Sequence, residues 1–297
     1  MERLDMMLKA AKKMECLSEK YCGETECTDQ RMKSVNGEDN CKWYHGGWMY
    51  CRLSGIVVTE DYLGNDFTEF FSENHDKDDI NVLACGIADF GLLLHIIDRI
   101  PKDIIKRVHI YAVDICRTPL ELCRWFFQQE ETKKYNQVDI IYVKADATKL
   151  PFEAGFFNLI TSYSFLTRMT SDLAGKVIKE WHRVLKRDGE VLTTIHINGD
   201  DGLPIGDFYR SDNEDMEFAM QKVYHFLDHN KELGEDFSEH MITMVERYLE
   251  NIMSVVVPNN NAVQSMFDIF SYCGIKNVDQ PGELEEVHKM TIVKAFK

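Results

Sequence analysis

"VLACGIADFG", Val82 to Gly91, decides how this chain is read. The stretch opens as an apolar strand, breaks at Gly86, and continues into a helical pattern at Leu92, Leu93, His95, Ile96 and Ile97. A strand that enters a helix through a glycine turn is the layout of a nucleotide-type cofactor site. Ala88 and Phe90 stand where such turns usually carry glycine. Phe90 either covers a bound cofactor or packs beneath the helix.

The neighbouring segments extend the pattern. "VHIYAV" (Val108 to Val113), "VDIIYV" (Val138 to Val143), "FNLITSY" (Phe157 to Tyr163) and "GEVLTTIH" (Gly189 to His196) are short, nearly apolar and rich in β-branched residues, like "INVLAC" (Ile80 to Cys85). Strands of this kind are covered on both faces and belong inside a parallel sheet. Helical spacing separates them: Leu120, Cys123, Phe126 and Phe127 after the second, and Val177, Ile178, Trp181, Val184 and Leu185 before the fifth. Alternation of this sort implies a doubly wound α/β sheet. In "DICRTPLELCRWF" the spacing of Thr118, Pro119 and Glu121 reads as N-cap, first and third helical residue. That leaves Asp114 at the carboxyl end of the second strand, the edge at which open α/β sheets bind ligands. Asp146 follows the third strand in the same way. Either aspartate alone would be explained by a turn.

Composition bounds the function classes. With 297 residues and 44% hydrophobic content, the chain can bury one large core with an appendage, or two modest ones. A formal charge of -16 argues against nucleic acid, which asks for a basic footprint, and favours a small molecule or a protein partner, a second copy included. No apolar run reaches the roughly 20 residues of a membrane span, and the opening "MERLDMMLKAAKKMECLSEKY" is no signal peptide. A cytoplasmic protein is expected, with its nine cysteines reduced. Five of them, Cys16, Cys22, Cys27, Cys41 and Cys51, are N-terminal. The nearest spacing is C-x4-C rather than a close C-x-x-C pair, so no metal is expected.

From about Ile80 to Lys297 the chain resembles the class I S-adenosylmethionine-dependent methyltransferases. The likeness is carried by "VLACGIADFG", by the acids after the second and third strands, by "KADATKLPFEAGFFNLITSY", and by a helix ending in "RVLKRDGEVL" (Arg183 to Leu192). "CGIKNVDQ" followed by "VHKMTIVKAF" matches the family's terminal strand pair. The resemblance implies a mostly parallel seven-stranded sheet, Rossmann-like, whose final strand inserts antiparallel. Residues 80–297 would form this domain, preceded by an N-terminal helical and aromatic cap over 1–79 and interrupted by a helical insertion at about 198–259.

S-adenosylmethionine is the cofactor so implied. By position, Gly86 and Cys85 would face its methionine part, Asp114 and Ile115 the ribose, and Asp146 the adenine amino group, with Ala147 offering a backbone N–H and Ser162 a further contact. Ala84 departs from the family, which carries there an acid that organises the cofactor's amino group; Asp89 is a candidate to compensate. A nicotinamide-dependent oxidoreductase is the competing enzyme reading, but it wants G-x-G-x-x-G to receive a pyrophosphate, and only Gly86 and Gly91 are present. The other is an inert cofactor-binding or interaction protein.

In many family members the segment before the first strand folds over the cofactor. Trp43, Trp48, Tyr50, Arg52 and Tyr62 are therefore candidates for a lid, with Arg52 suited to pair bidentately with the cofactor carboxylate; packing against the sheet edge is the equal alternative. The insertion shows two helical patterns, Met216, Met220, Val223 and Leu227, then Met241, Val245, Tyr248, Leu249 and Ile252. It would build an acceptor pocket or a dimer surface. For methyl transfer to a small acceptor, His196 is the candidate base, the alternative being a histidine bonded to backbone, and Tyr163 and Ser164 the positioning groups. No Asn-Pro-Pro-Tyr type motif follows the fourth strand, which disfavours a planar base nitrogen or glutamine as the target.

Overall fold

The computed structural model describes residues 2–22, 40–57, 61–197, 208–209, 213–251, 254–255, 257, 259–278 and 289–297. They divide into two compact units. The helical unit comprises Met1–Glu60, Cys116–Phe126 and Arg210–Met253, and the sheet unit Asp61–Ile115, Phe127–Tyr209 and Ser254–Lys297. The boundary therefore differs from a cap over 1–79: the helix Gly64–Glu73 groups with the sheet, where Phe67, Phe70 and Phe71 are buried. Cys27, Ile252 and most of the polar stretch after the fifth strand lie outside the described residues.

In the helical unit, α1 (Glu2–Tyr21), α2 (Asn40–Leu53), α7 (Asn213–His229) and α8 (Glu235–Asn251) assemble with the start of α5 (Arg117–Phe127). Gly47 is what lets α2 approach α8, because a Cβ there would stand 2.6 Å from Tyr248 Cβ and 2.7 Å from the Met244 carbonyl oxygen. Tyr44 stacks on Tyr248 at 5.6 Å and Trp48 meets it edge-on at 6.2 Å. Tyr50 is buried, its hydroxyl donating to Glu15 at 2.9 Å. These aromatics are thus engaged in packing the helices of their own unit. Thr118 does not cap α5, which begins one residue earlier. Its backbone N–H donates to Cys116 Sγ at 3.4 Å and its hydroxyl to the Leu17 carbonyl at 3.3 Å.

The sheet unit holds a seven-stranded sheet. Its strands are β1 (Ile80–Cys85), β2 (Val108–Asp114), β3 (Asp139–Lys144), β4 (Phe157–Tyr163), β5 (Leu185–Ile197), β8 (Tyr272–Val278) and β9 (Lys289–Phe296), in the order β3-β2-β1-β4-β5-β9-β8. β6 (Phe208–Tyr209) and β7 (Ser254–Val255) form a separate short pair. The first five strands pair in parallel, and β9 runs antiparallel to both β5 and β8. This is the doubly wound arrangement with an inserted last strand that the sequence implied, and it differs from the all-parallel dinucleotide order. α4 (Gly91–Ile97) and α6 (Ser171–Val184) bury the expected stripes, Ala174, Val177, Ile178, Trp181 and Val184 in the second. Leu185 leaves that helical pattern: its extended backbone pairs with Phe157 and opens β5.

One buried carboxyl in the sheet has a consequence for stability. Glu190 on β5 is 3% exposed, with Oε1 unpartnered and Oε2 3.7 Å from Lys294 Nζ, an ammonium bonded at 2.7 Å to Glu69. Burial, reinforced by Glu73, Glu69 and Asp66 against the pull of Lys294, pushes Glu190 from an ordinary 4.5 up to about 7. The neutral form is the one the fold favours. Its contribution is complete below the unfolded value and is lost as pH rises through about 7. Glu190→Gln should therefore stabilise the protein by roughly 1–3 kcal/mol at about pH 8, with the gain shrinking toward zero near about pH 5, read from denaturant midpoints.

Candidate functional site

Strand order reverses direction between β1 and β4, so the crevice at their carboxyl ends is the place where an open α/β sheet receives a ligand. Three features meet the carboxyl edge of the sheet there. β1 ends at Cys85, and Gly86 bends away with φ +69°, its N–H donating to the Val113 carbonyl at 2.8 Å. β2 ends at Asp114, whose carbonyl accepts from the Ala145 N–H at 3.0 Å. Past β3, Asp146 accepts through Oδ1 from the Thr148 N–H and hydroxyl, both at 2.8 Å. Among the described residues its Oδ2 carries no bond, and that oxygen is available to a ligand's donor. The two carboxylates share a neighbourhood: the buried Cys85 thiol is pushed up to about 12, by burial first and further by the charges of Asp114 and Asp146.

Around this edge the other sequence candidates fall into different environments. Ile115 is half-buried and Ala147 buried beside the two acids. Ser162 is buried with its hydroxyl 2.6 Å from that of Thr193, a bond that ties β4 to β5 inside the sheet. His196 is half-buried near the end of β5, opposite Met290 of β9. Arg52 stands in the last turn of α2, in the helical unit. Ala84 is buried between Ala112 and Thr161. Asp89 is buried too and accepts the Gly91 N–H at 2.5 Å, holding the start of α4. Phe90 is buried immediately before α4.

Two groups were not anticipated. Phe165 projects its ring onto Gly86, so that a Cβ at 86 would stand 2.0 Å from Cδ2 of the ring. The ring is aimed by Ser164, a non-glycine residue at φ +47°, whose N–H donates to the Thr194 carbonyl at 3.1 Å and hydroxyl at 3.0 Å and whose carbonyl accepts from Thr167 at 2.8 Å. A left-handed serine held by so many bonds is strain retained next to a ligand crevice. Its signal in the sequence is only that "SYSFLT" lacks glycine where β4 must turn. The second group is His95 on α4, whose Nδ1 lies 3.0 Å from the Tyr163 hydroxyl and 3.9 Å from Asp61, itself paired to Arg99. Burial, with the Asp61 charge adding, raises the Tyr163 phenol well above the ordinary range, so it acts as a protonated hydrogen-bonding group.

Comparisons with known proteins bear on this geometry. A family model described as a methyltransferase domain matches residues 96–193. Over that stretch the chain is similar to a methyltransferase domain. The matched stretch runs from within α4 into β5, enclosing Asp114 and Asp146. A curated 2-phytyl-1,4-naphtoquinone methyltransferase from Nostoc punctiforme is 28% identical over 142 residues, which is 48% of this chain and 51% of that protein. The chain thus aligns with about half the length of this curated relative. Among solved structures, Haemonchus contortus phosphoethanolamine N-methyltransferase 2 with S-adenosyl-L-methionine has a TM-score of 0.49 and 13% identity, over 85% of this chain and 56% of that one. The PH0226 protein of Pyrococcus horikoshii has a TM-score of 0.47 and 16% identity, over 78% and 88%. No helix among the described residues is long and apolar enough to cross a membrane.

Gly86→Ala should destabilise the fold by roughly 2–4 kcal/mol, the sum of a left-handed alanine and an overpacked contact. Adding Phe165→Ala removes the ring that the new methyl meets. The double variant should then be less destabilised than the two single losses sum to, a coupling measurable by a denaturant double-mutant cycle. Strict additivity would mean that the ring and the glycine do not meet.

Proposed function

We propose that this chain transfers the methyl group of S-adenosylmethionine to an oxygen or nitrogen of a small-molecule acceptor by in-line displacement. The observation that carries the reading is the juxtaposition of a left-handed glycine bend, an aspartate ending β2 and an aspartate past β3 with an unengaged carboxylate oxygen, on three adjacent strands. In this reading the Gly86 bend, with Cys85, faces the methionine part of the cofactor. Asp114 accepts the ribose hydroxyls, with Ile115 beside them. Asp146 accepts from the adenine amino group, and the Ala147 N–H donates to the ring. Ser162 acts indirectly, through its hold on β5.

A sulfonium methyl is already activated, so the protein's task is alignment and exclusion of water. Bound at this edge, S-adenosylmethionine would supply a methyl carbon open to an acceptor lone pair, its sulfur taking the electrons of the broken carbon–sulfur bond. The acceptor's proton passes to a base, for which His196 is the proposed group. Tyr163, protonated and fixed by His95, orients the acceptor. With alanine at 84 and Asp89 bonded to the Gly91 N–H, the cofactor's amino group lacks the usual acid, and cofactor affinity is correspondingly modest. The quinone named for the Nostoc relative makes reduced quinones, whose ring hydroxyls offer an oxygen acceptor, the first class to assay.

S-adenosylmethionine or its demethylated product should raise the melting temperature. Asp114→Ala should weaken that binding about 100-fold, the loss of two hydrogen bonds to a charged acceptor. A melting shift with NADH and none with the methyl donor would overturn the assignment.

A further inference from the structure

Four side chains dispersed in sequence converge within the helical unit. Cys22 follows the end of α1, Cys41 and His45 stand one turn apart on α2, and Cys116 precedes α5 by one residue. Cys22 and Cys116 are 94 residues apart in the chain. Their ligand atoms all lie within 4.8 Å of one another, and all four residues are buried. Cys116 Sγ is 3.8 Å from Cys22 Sγ and 3.8 Å from Cys41 Sγ. His45 Nδ1 is 3.5 Å from Cys22 Sγ and 3.4 Å from Cys41 Sγ.

Those distances are the edges of a particular polyhedron. A zinc ion with Zn–S of about 2.3 Å and Zn–N of about 2.0–2.1 Å at tetrahedral angles sets sulfur–sulfur edges of about 3.8 Å and sulfur–nitrogen edges of about 3.5 Å. A reduced cysteine in a core is an ordinary small apolar residue. Three of them facing one another and an imidazole nitrogen are a ligand set, since sulfur with nitrogen in tetrahedral disposition selects zinc over hard cations. The Thr118 N–H donating to Cys116 Sγ at 3.4 Å is the kind of outer partner that steadies a metal-bound thiolate. Thr118 also places its hydroxyl 3.2 Å from Cys22 Sγ.

We propose that Cys22, Cys41, His45 and Cys116 bind one zinc ion as three thiolates and a neutral imidazole. Three thiol protons leave as the ion enters, and the completed site carries one negative charge. Four protein ligands fill the tetrahedral shell, so the ion is structural and offers no open position to a substrate. It joins the end of α1, the first half of α2 and the start of α5. His45 Nδ1 also lies 3.1 Å from the Cys41 carbonyl oxygen. With zinc bound, Nδ1 turns its lone pair to the ion and the proton resides on Nε2.

The full-length protein, purified under reducing conditions without a metal-affinity step, should carry one zinc per chain by inductively coupled plasma mass spectrometry. Replacement by cobalt(II) should give the visible bands of a tetrahedral site and thiolate charge transfer in the near ultraviolet. Cys41→Ser and His45→Ala should lose the metal, and Cys123→Ser, a buried thiol outside the cluster, should retain it. In case those variants fail to fold, the wild type supplies its own test. A strong chelator should lower its melting temperature by roughly 10 °C or more and expose three further thiols to a thiol reagent. A folded wild type that keeps no zinc after reconstitution and dialysis overturns the proposal. So does zinc retained undiminished in folded Cys41→Ser and His45→Ala, or a native mass lower by two hydrogens, which would mark a disulfide in the cluster.

Discussion

The register of β1 between β2 and β4 governs everything at the carboxyl edge of the sheet. Cys85 lies opposite Val113, Asp114 opposite Lys144, and Ala84 opposite Thr161, so three strands end at one level. The ladder continues one step into each bend, through the Gly86 and Ala145 N–H groups. A slip of one residue in any of these pairs would turn a strand's whole apolar set to the other face, which two covered faces forbid. The positions of Gly86, Asp114 and Asp146 are therefore consequences of core packing several residues away.

Much of this was legible from the amino acids because a strand covered on both faces leaves an unmistakable apolar, β-branched run. The five central strands follow from that rule, the helix faces of α4 and α6 from helical spacing, and the inserted last strand from the resemblance to the methyltransferases. What the sequence hid is what depends on partners distant in the chain. Thr118 has every local attribute of a cap, yet its hydroxyl is drawn to Leu17 and its N–H to Cys116. Phe165 gave no pattern, because its position is set by a left-handed serine rather than by periodicity. The convergent cysteines escape a search for close pairs, since two of the four ligands come from opposite ends of a long stretch. The local sign available was the Cys41-x3-His45 spacing, which puts both side chains on one face of a helix.

The aromatic richness before β1 illustrates the same point from the other side. Tyr44, Trp48 and Tyr50 look like material for covering a ligand, and they are engaged instead in holding α2 against α8 and α1. Gly46 and Gly47 make the approach of α2 to α8 possible, with Met244 and Tyr248 occupying the space that side chains would need. Aromatic density is evidence of close packing first; only geometry assigns it to a ligand.

Neither compact unit is a contiguous stretch of chain: the helical one draws on three separate segments, and so does the sheet. No single cut separates the two units. Cleavage near residue 60 would strip α5, α7 and α8 of the two helices they assemble with, while leaving them tethered to the remainder. During synthesis the amino-terminal helices must wait for residues beyond 210 before their unit is complete. The order of emergence from the ribosome and the order of assembly are thereby uncoupled, a burden that contiguous domains never carry.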